Sequence, residues 1–192
     1  MGHDAAGGLR RRNSTQAWKK KKSLMRGAKF TAVFEPMERE VIGDLTATVS
    51  EAIIARAQSA PKDELADLVD MPTGHTEAPE DPSLARLFPD FQKPGDEEFD
   101  GDNSLLRSLH ENDIARAKLE NLQIINEALG PTGGVEVTVS EEEAHAFLAG
   151  LNDLRLFVAA GDLDDHSQGA DRDTLVEWLA FCQDSLLNVI LD

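Results

Sequence analysis

Cysteine, tyrosine and long apolar runs are scarce in this chain. Its 192 residues include one cysteine, no tyrosine and only 5% aromatic residues. Because Cys182 has no partner for an intramolecular disulfide, we expect a fold without covalent crosslinks in a reducing compartment. The N-terminal residues lack the apolar segment of a secretory signal, and we find no apolar run approaching the roughly 18 residues that span a bilayer. These absences predict a soluble, cytoplasmic protein, and we expect no membrane among its partners.

Charge is distributed unevenly along the chain. Asp and Glu outnumber Lys and Arg by 36 to 19, which gives a net charge of −17. Residues 1–29 nevertheless carry nine Lys and Arg against Asp4 alone, a net charge of +8, so residues 30–192 carry −25. A body this acidic repels duplex DNA, whereas the basic segment attracts it.

The basic segment, residues 1–28, is rich in Gly, Ser and cationic side chains and poor in apolar ones, which predicts a disordered basic arm. Trp18 stands beside four lysines, a combination that suits contact with nucleic acid. Three interpretations stay open: plain solvation of the arm, contact with DNA or a protein partner, or binding to a membrane surface. The residues that would make such a contact are Arg10, Arg11, Arg12, Lys19, Lys20, Lys21 and Lys22.

Residues 29–192 are predicted to form a single helical domain. Alternating apolar residues predict strands at Lys29–Phe34 and Val135–Val139, which we expect to pair because neither is stable alone. Apolar residues spaced three and four apart predict four main helices, at 36–58, 104–129, 140–160 and after residue 173. The predicted fold class is therefore mainly α: a helical bundle of about four main helices with a small two-stranded antiparallel β element.

The region at about 71–103 contains five of the eight prolines, and nine acidic residues against two basic ones. This composition predicts a mobile, acidic, Pro-rich loop. Within the loop, the apolar residues that follow Asp81-Pro82 predict one docked turn of helix. Just before the loop, Pro61–Val69 is predicted to form a short helix.

No sequence motif predicts an active site, a metal centre or a bound cofactor. Gly130–Gly134 (GPTGG) precedes a strand, whereas phosphate-binding loops follow one. His110-Glu111 lacks the second histidine of a zinc-binding HExxH motif, because Ile114 occupies that position. Cys182 lies on the apolar stripe of the last helix, which favours packing over redox sensing because burial raises the pKa of a thiol and lowers its reactivity.

Two groups of polar residues interrupt the apolar stripes of the predicted helices at 104–129 and 140–160. We predict that they form one interhelical network, because a carboxylate and a guanidinium pair well in a partly buried site and fix the register of the helices. The alternative is an acidic site for a partner or for catalysis. The residues concerned are Asn112, Asp113, Arg116, Asn152, Asp153 and Arg155.

Five ordered blocks of the sequence resemble an actinobacterial domain-of-unknown-function family, the family of the oxidative-stress transcriptional regulator AosR. The resemblance extends from about Lys29 to Leu191. The blocks are KFTAVFEPMEREVI at Lys29–Ile42, DPSLARLFPDF at Asp81–Phe91, ENDIARAKLENL at Glu111–Leu122, LAGLNDLRLFV at Leu148–Val158 and LVEWLAFCQDSLL at Leu175–Leu187.

The resemblance implies a cytoplasmic, non-enzymatic regulator of transcription in oxidative stress, acting through a sigma factor or RNA polymerase. It also suggests a second interpretation, an adaptor or accessory factor in Clp-type proteolysis, and it leaves a homodimer open. The family is associated with a redox switch built on a pair of cysteines. This chain departs from that pattern, because Cys182 alone cannot form an intramolecular disulfide.

Overall fold

The computed structural model describes residues 16–23, 27–62, 68, 74–92, 100–130, 136–161 and 166–192. These residues form mainly helix, as predicted, with four long helices and one short one. Of the predicted helix at Pro61–Val69, the structure describes Pro61, Lys62 and Leu68 alone, and residues 1–15 of the basic arm lie outside the described residues. The elements are β1 (Gln16–Ser23), β2 (Gly27–Val33), α1 (Pro36–Gln58), α2 (Pro82–Leu87), α3 (Asp100–Leu129), β3 (Glu136–Ser140), α4 (Glu141–Ala160) and α5 (His166–Leu191).

The sheet has three antiparallel strands in the order β1-β2-β3, so the prediction of two strands needs correction. The predicted pairing of β2 with β3 is confirmed, with Phe30 opposite Val139 and Ala32 opposite Val137. The additional strand is β1, which comes from the segment predicted to be a disordered arm and pairs with β2 from Gln16 to Ser23. Part of the basic segment therefore belongs to the folded domain.

Local sequence signals position α1 and α4. Pro36 occupies the first turn of α1, and the backbone N–H of Glu35 donates to Glu38 Oε2 at 2.7 Å. At the start of α4, the Ser140 N–H donates to Glu143 Oε2 at 2.7 Å and the Glu143 N–H donates to Ser140 Oγ at 3.3 Å. The capping box predicted at Ser140 is thus confirmed.

Helix α4 lies at the centre of the domain and packs against α3, α5, α2 and the sheet. Its Gly150 permits a close approach to α3, because a Cβ atom added there would lie 2.6 Å from Ile125 Cδ1. Ala144, Phe147 and Leu151 of α4 are fully buried. The core of the domain therefore runs along both sides of α4.

Helix α5 lies at the edge of the domain. Its segment Asp171–Leu191 reaches a mean hydropathy of 1.3, long and apolar enough to cross a bilayer by length and composition alone. By this measure, the expectation from the sequence that no segment is long and apolar enough to span a bilayer is wrong. Leu179, Cys182 and Leu186 are nevertheless buried in the core, so one stripe of α5 serves packing within the domain.

Candidate functional site

The most buried charges of the described residues form a cluster between α1 and α3. Arg107 and Glu111 lie one turn apart on α3, with side chains only 2% and 4% exposed, and Arg107 Nη1 donates to Glu111 Oε2 at 2.9 Å. From α1, Arg56 Nε donates to Glu111 Oε1 at 2.8 Å. One carboxylate therefore joins two guanidinium groups, and it stabilises the contact of the two helices as long as all three are present.

The same cluster holds the segment 74–92, most of the region predicted to be an acidic loop. Arg107 donates to the Phe88 carbonyl at 3.1 Å and to Asp90 Oδ1 at 2.7 Å. Arg56 donates to the Glu77 carbonyl at 2.6 Å. These bonds satisfy backbone acceptors of a segment that has little regular structure, so the cluster fixes the path of the segment.

A pocket of about 250 Å³ lies beside the cluster, between Leu87–Phe91 and α3. Arg107 and Glu111 line it together with Ile114 and Lys118. Its charged groups already pair within the protein, so the arrangement serves bracing better than acid–base chemistry. Among the residues that the structure describes, no group of three or more His, Cys, Asp or Glu side chains is placed to hold a metal ion.

The predicted single network of six polar residues does not form with the predicted partners. Asp113 and Arg116 pair with each other at 3.3 Å, but both side chains are about 70% exposed, so they lie on the solvent side of α3. Asp153 is 5% exposed and pairs with Lys118 Nζ at 2.7 Å instead of with an arginine. Asn112 lies half-buried on α3. The Lys118–Asp153 pair therefore links α3 to α4.

Asn152 forms a second link from α4, this time to α5, and Arg155 bonds to Asn152 within α4. The Asn152 Oδ1 atom accepts from Arg155 Nη2 at 3.2 Å and from Gln183 Nε2 at 3.4 Å. Of these two bonds, the one from Gln183 crosses between helices, to α5 and not to α3 as predicted, whereas the one from Arg155 lies within α4. Sequence reasoning missed Lys118 and Gln183 because each looks like an ordinary surface residue when read alone.

Burial governs the ionisation of Asp153. Removal from water raises the pKa of its carboxyl group above the usual 3.8, and the hydrogen bond and charge of Lys118 oppose that rise. The cost of burying the carboxylate outweighs the attraction of its partner. This balance is typical of a pair that specifies how helices fit and adds little net stability.

Cys182 is 1% exposed in the core. Burial, with a further contribution from the charge of Glu38, raises the pKa of its thiol to about 12. A thiol in this environment holds its proton at physiological pH and reacts slowly with oxidants. The interpretation of Cys182 as a packing residue therefore fits its position better than redox sensing does.

The four lysines of the basic segment lie on β1 at the edge of the sheet. Lys21 pairs with Glu136 at 2.8 Å, and Lys20 Nζ lies 5.8 Å from the centre of the Phe30 ring. Lysine on an edge strand also hinders pairing with strands of other molecules. Arg10, Arg11 and Arg12 lie outside the described residues.

Trp18 is not available for stacking on nucleic acid bases, which corrects that part of the prediction. It is 3% exposed, and its ring meets those of Phe34 and Phe147 edge-on at 6.1 and 5.2 Å. Its backbone N–H donates to Ser185 Oγ at 2.7 Å. The Trp18 side chain therefore anchors β1 to the core.

The fold and the buried ionic cluster define a small, acidic, mainly helical domain that is braced from within. The family model described as "Domain of unknown function (DUF2017)" matches residues 15–190, so the chain belongs to that family. The resemblance found in the sequence is thereby confirmed, and the matched region includes β1.

Curated relatives carry a functional name. Proteins named "Oxidative stress regulator AosR" from Mycobacterium tuberculosis and Mycobacterium bovis are each 30% identical over 184 residues, which cover 86% of this chain and 84% of the relative. A Mycobacterium leprae relative whose name also contains AosR is 34% identical over 148 residues, which cover 72% of this chain and 67% of its own. No solved structure matches the chain. The names of the relatives support a regulatory role.

Proposed function

We propose that this protein regulates the response to oxidative stress by binding a component of the transcription apparatus, a sigma factor or RNA polymerase itself, in the cytoplasm. The observation that carries the proposal is the likeness to proteins named oxidative stress regulator AosR over 86% of the chain. The net charge of −25 on residues 30–192 supports a protein partner with a basic surface, since such charge complementarity speeds and orients association.

In this proposal, binding to DNA is secondary to binding a protein partner. The acidic body repels duplex DNA, and the Trp18 ring is occupied within the core. Any contact with DNA would therefore come from Arg10–Arg12 and from the exposed lysines of β1, after a protein partner has brought the domain to the complex.

The position of Cys182 shapes the regulatory part of the proposal. A buried thiol with a pKa near 12 does not suit rapid oxidation, and the chain has no second cysteine. We therefore place the sensing of oxidants upstream of this protein. In this scheme another molecule senses the oxidant. The protein then changes transcription because its partner, or the amount or state of the protein itself, has changed.

Affinity purification of the full-length protein from its native host tests the proposal. Cells are grown with and without peroxide, and the extract is divided between low salt and about 0.5 M salt, where exposed charges are screened within a few ångströms. We expect polymerase subunits or a sigma factor at low salt, in larger amount than with an unrelated bait of equal net charge. Their absence at low salt would refute the proposal, and recovery of a Clp component in their place would assign the protein to regulated proteolysis.

A further inference from the structure

An open groove separates the first turns of α1 from the middle of α5. It has a volume of about 860 Å³, and its apolar walls include Met37 and Val41 from α1 and Leu175 and Trp178 from α5. A second depression of about 390 Å³ continues from Leu175 towards Leu45, Phe157 and Val158. The two depressions share Asp171 and Leu175, so they form one surface feature, which we call the α1–α5 groove.

The α1–α5 groove exposes apolar side chains that the rest of the domain does not cover. Met37 is 76% exposed at one end of the groove. Val41, Leu175 and Trp178, which line it beside Met37, are half-buried. Contiguous exposed apolar surface of this kind marks sites of interaction with other molecules. Single exposed residues such as Leu105 on α3 carry no such meaning.

Acidic side chains border the groove. Glu35, Glu38 and Asp171 line the larger depression, and no basic residue is among the described residues that line it. Arg172 lines the smaller one, where its guanidinium group donates to the Gly161 carbonyl at 3.1 Å. The carboxylates carry negative charge whatever hydrogen bonds they accept, so the rim attracts cations.

We propose that the α1–α5 groove receives a cationic amphipathic helix of a partner protein. The apolar walls match a row of apolar side chains spaced three and four residues apart, and the carboxylates match Lys and Arg on the flanks of that row. A second copy of this chain fits poorly, because residues 30–192 carry −25 and two such bodies repel each other. The identity of the partner rests on the proposed function. The expected chemistry of the bound helix, cationic and amphipathic, rests on the groove alone.

The length of the groove sets the length of the bound segment. From Met37 to Leu45 α1 advances by eight residues, about 12 Å at the rise of an α-helix. About two turns of the partner helix would therefore lie in the groove, with two or three apolar side chains against Met37, Val41 and Trp178.

The fluorescence of Trp178 can report binding, because Trp178 lines the groove whereas the other tryptophan of the sequence, Trp18, is buried in the core. The probe is an amidated helical peptide of about 18 residues, long enough to be helical, made of Lys with Leu at helical spacing. A second peptide has Glu in place of every Lys. We expect saturable binding of the Lys peptide to the full-length protein, with a shift of the Trp178 emission to shorter wavelength and protection from acrylamide. The Glu peptide should leave the emission unchanged.

Matched variants locate the binding. In the groove, Met37→Ser with Asp171→Lys removes one apolar contact and reverses one rim charge, at positions exposed enough to leave the fold intact. On α3, Leu105→Ser with Asp113→Lys makes the same chemical change outside the groove. We expect about tenfold weaker binding for the groove variant and less than twofold change for the α3 variant. Equal losses in both would show that the peptide follows net charge alone, and would overturn the proposal.

Two further arms exclude other occupants. Replacing Arg10, Arg11 and Arg12 by Ser in the full-length chain should leave peptide affinity within twofold; a large gain would assign the groove to the protein's own basic segment and overturn the proposal. Vesicles of anionic lipid should not shift the Trp178 emission, and a shift with vesicles but not with the peptide would make the surface a membrane contact.

The affinity purification described under the proposed function also distinguishes failure of this inference from failure of that function. If the wild-type protein recovers a polymerase subunit or sigma factor and the groove variant recovers it equally well, the function stands and the groove is the wrong surface. If the wild-type protein recovers neither, the proposed function fails, while the peptide titration still decides whether the groove binds a cationic helix.

Discussion

Substitution of Glu111 by alanine tests the ionic cluster between α1 and α3. The variant leaves Arg107, whose side chain is 2% exposed, and Arg56, 12% exposed, without the carboxylate that joins them. Removing one partner of a buried ion pair typically costs about 3–5 kcal/mol, because the remaining charge is buried and unpaired. Asp90 still accepts from Arg107, so we expect about 3 kcal/mol, at the lower end of that range.

Urea unfolding followed by circular dichroism measures this loss. For a domain of this size about 3 kcal/mol lowers the melting temperature by about 6–12 °C. The control is Asp113→Ala on the same helix, where the side chain is 69% exposed and pairs with the equally exposed Arg116. That change should stay within about 0.5 kcal/mol, and can even stabilise the helix, since alanine has the higher helix propensity.

A double-mutant cycle with Arg107→Ala makes the test specific. Arg107 and Glu111 are hydrogen-bonded to each other, so each single variant already breaks their contact. The free energy of unfolding lost in the double variant should therefore be smaller than the sum of the two single losses, by about 1 kcal/mol or more. Additive losses, or a loss below about 1 kcal/mol for Glu111→Ala, would refute the picture of a buried, mutually dependent cluster.

Three further predictions follow from the core and from the buried titratable groups. Trp18→Ala should cost about 3–5 kcal/mol in urea unfolding while the exposed Lys21→Ala changes little, because Trp18 anchors β1; a cost below about 1 kcal/mol would make the segment an arm after all. The raised pKa of Asp153 means that the folded state binds a proton more tightly than the unfolded state, so the contribution of this group is fully present below pH 3.8 and is lost as pH rises through the raised pKa. The free energy of unfolding, measured from acid to neutral pH, should therefore lose the decline due to Asp153 in the Asp153→Asn variant. A curve identical to that of the wild-type protein would contradict the raised pKa of Asp153. Iodoacetamide at pH 8 should label Cys182 slowly in the native protein and rapidly in guanidinium; rapid native labelling would show an accessible thiol.

The features that the sequence predicted correctly depend on residues close together in the chain. The capping box of Ser140 and Glu143 uses neighbours three residues apart, and the end of α3 at Gly130 uses a glycine with a positive φ of 64°. Strands β2 and β3 were also predicted, since their alternation leaves one face apolar. In each case local chemistry was enough.

The features that were missed depend on contacts between distant residues. Lysines 19–22 read as an arm because their composition is that of a solvated segment, and only the packing of Trp18 against Phe34 and Phe147 shows that the segment is a strand. Arg107 and Glu111 show the ordinary spacing of an exposed helical ion pair. They become buried because residues 88–90 fold over them, in a region whose prolines and acids predicted a mobile loop.

The buried and exposed carboxylates of this protein should respond differently to salt. Glu111 lies within a few ångströms of two guanidinium groups and away from water, so counterions barely screen its interactions. Asp171 lies at an exposed rim, and its attraction for a cationic partner falls as the screening length shrinks from about 10 Å at 0.1 M to about 3 Å at 1 M. Raising the salt concentration should therefore release a bound partner from the α1–α5 groove well before it lowers the stability of the domain. Loss of binding that coincided with unfolding would mean that the same carboxylates serve both tasks, and that bracing and recognition are not separated in this fold.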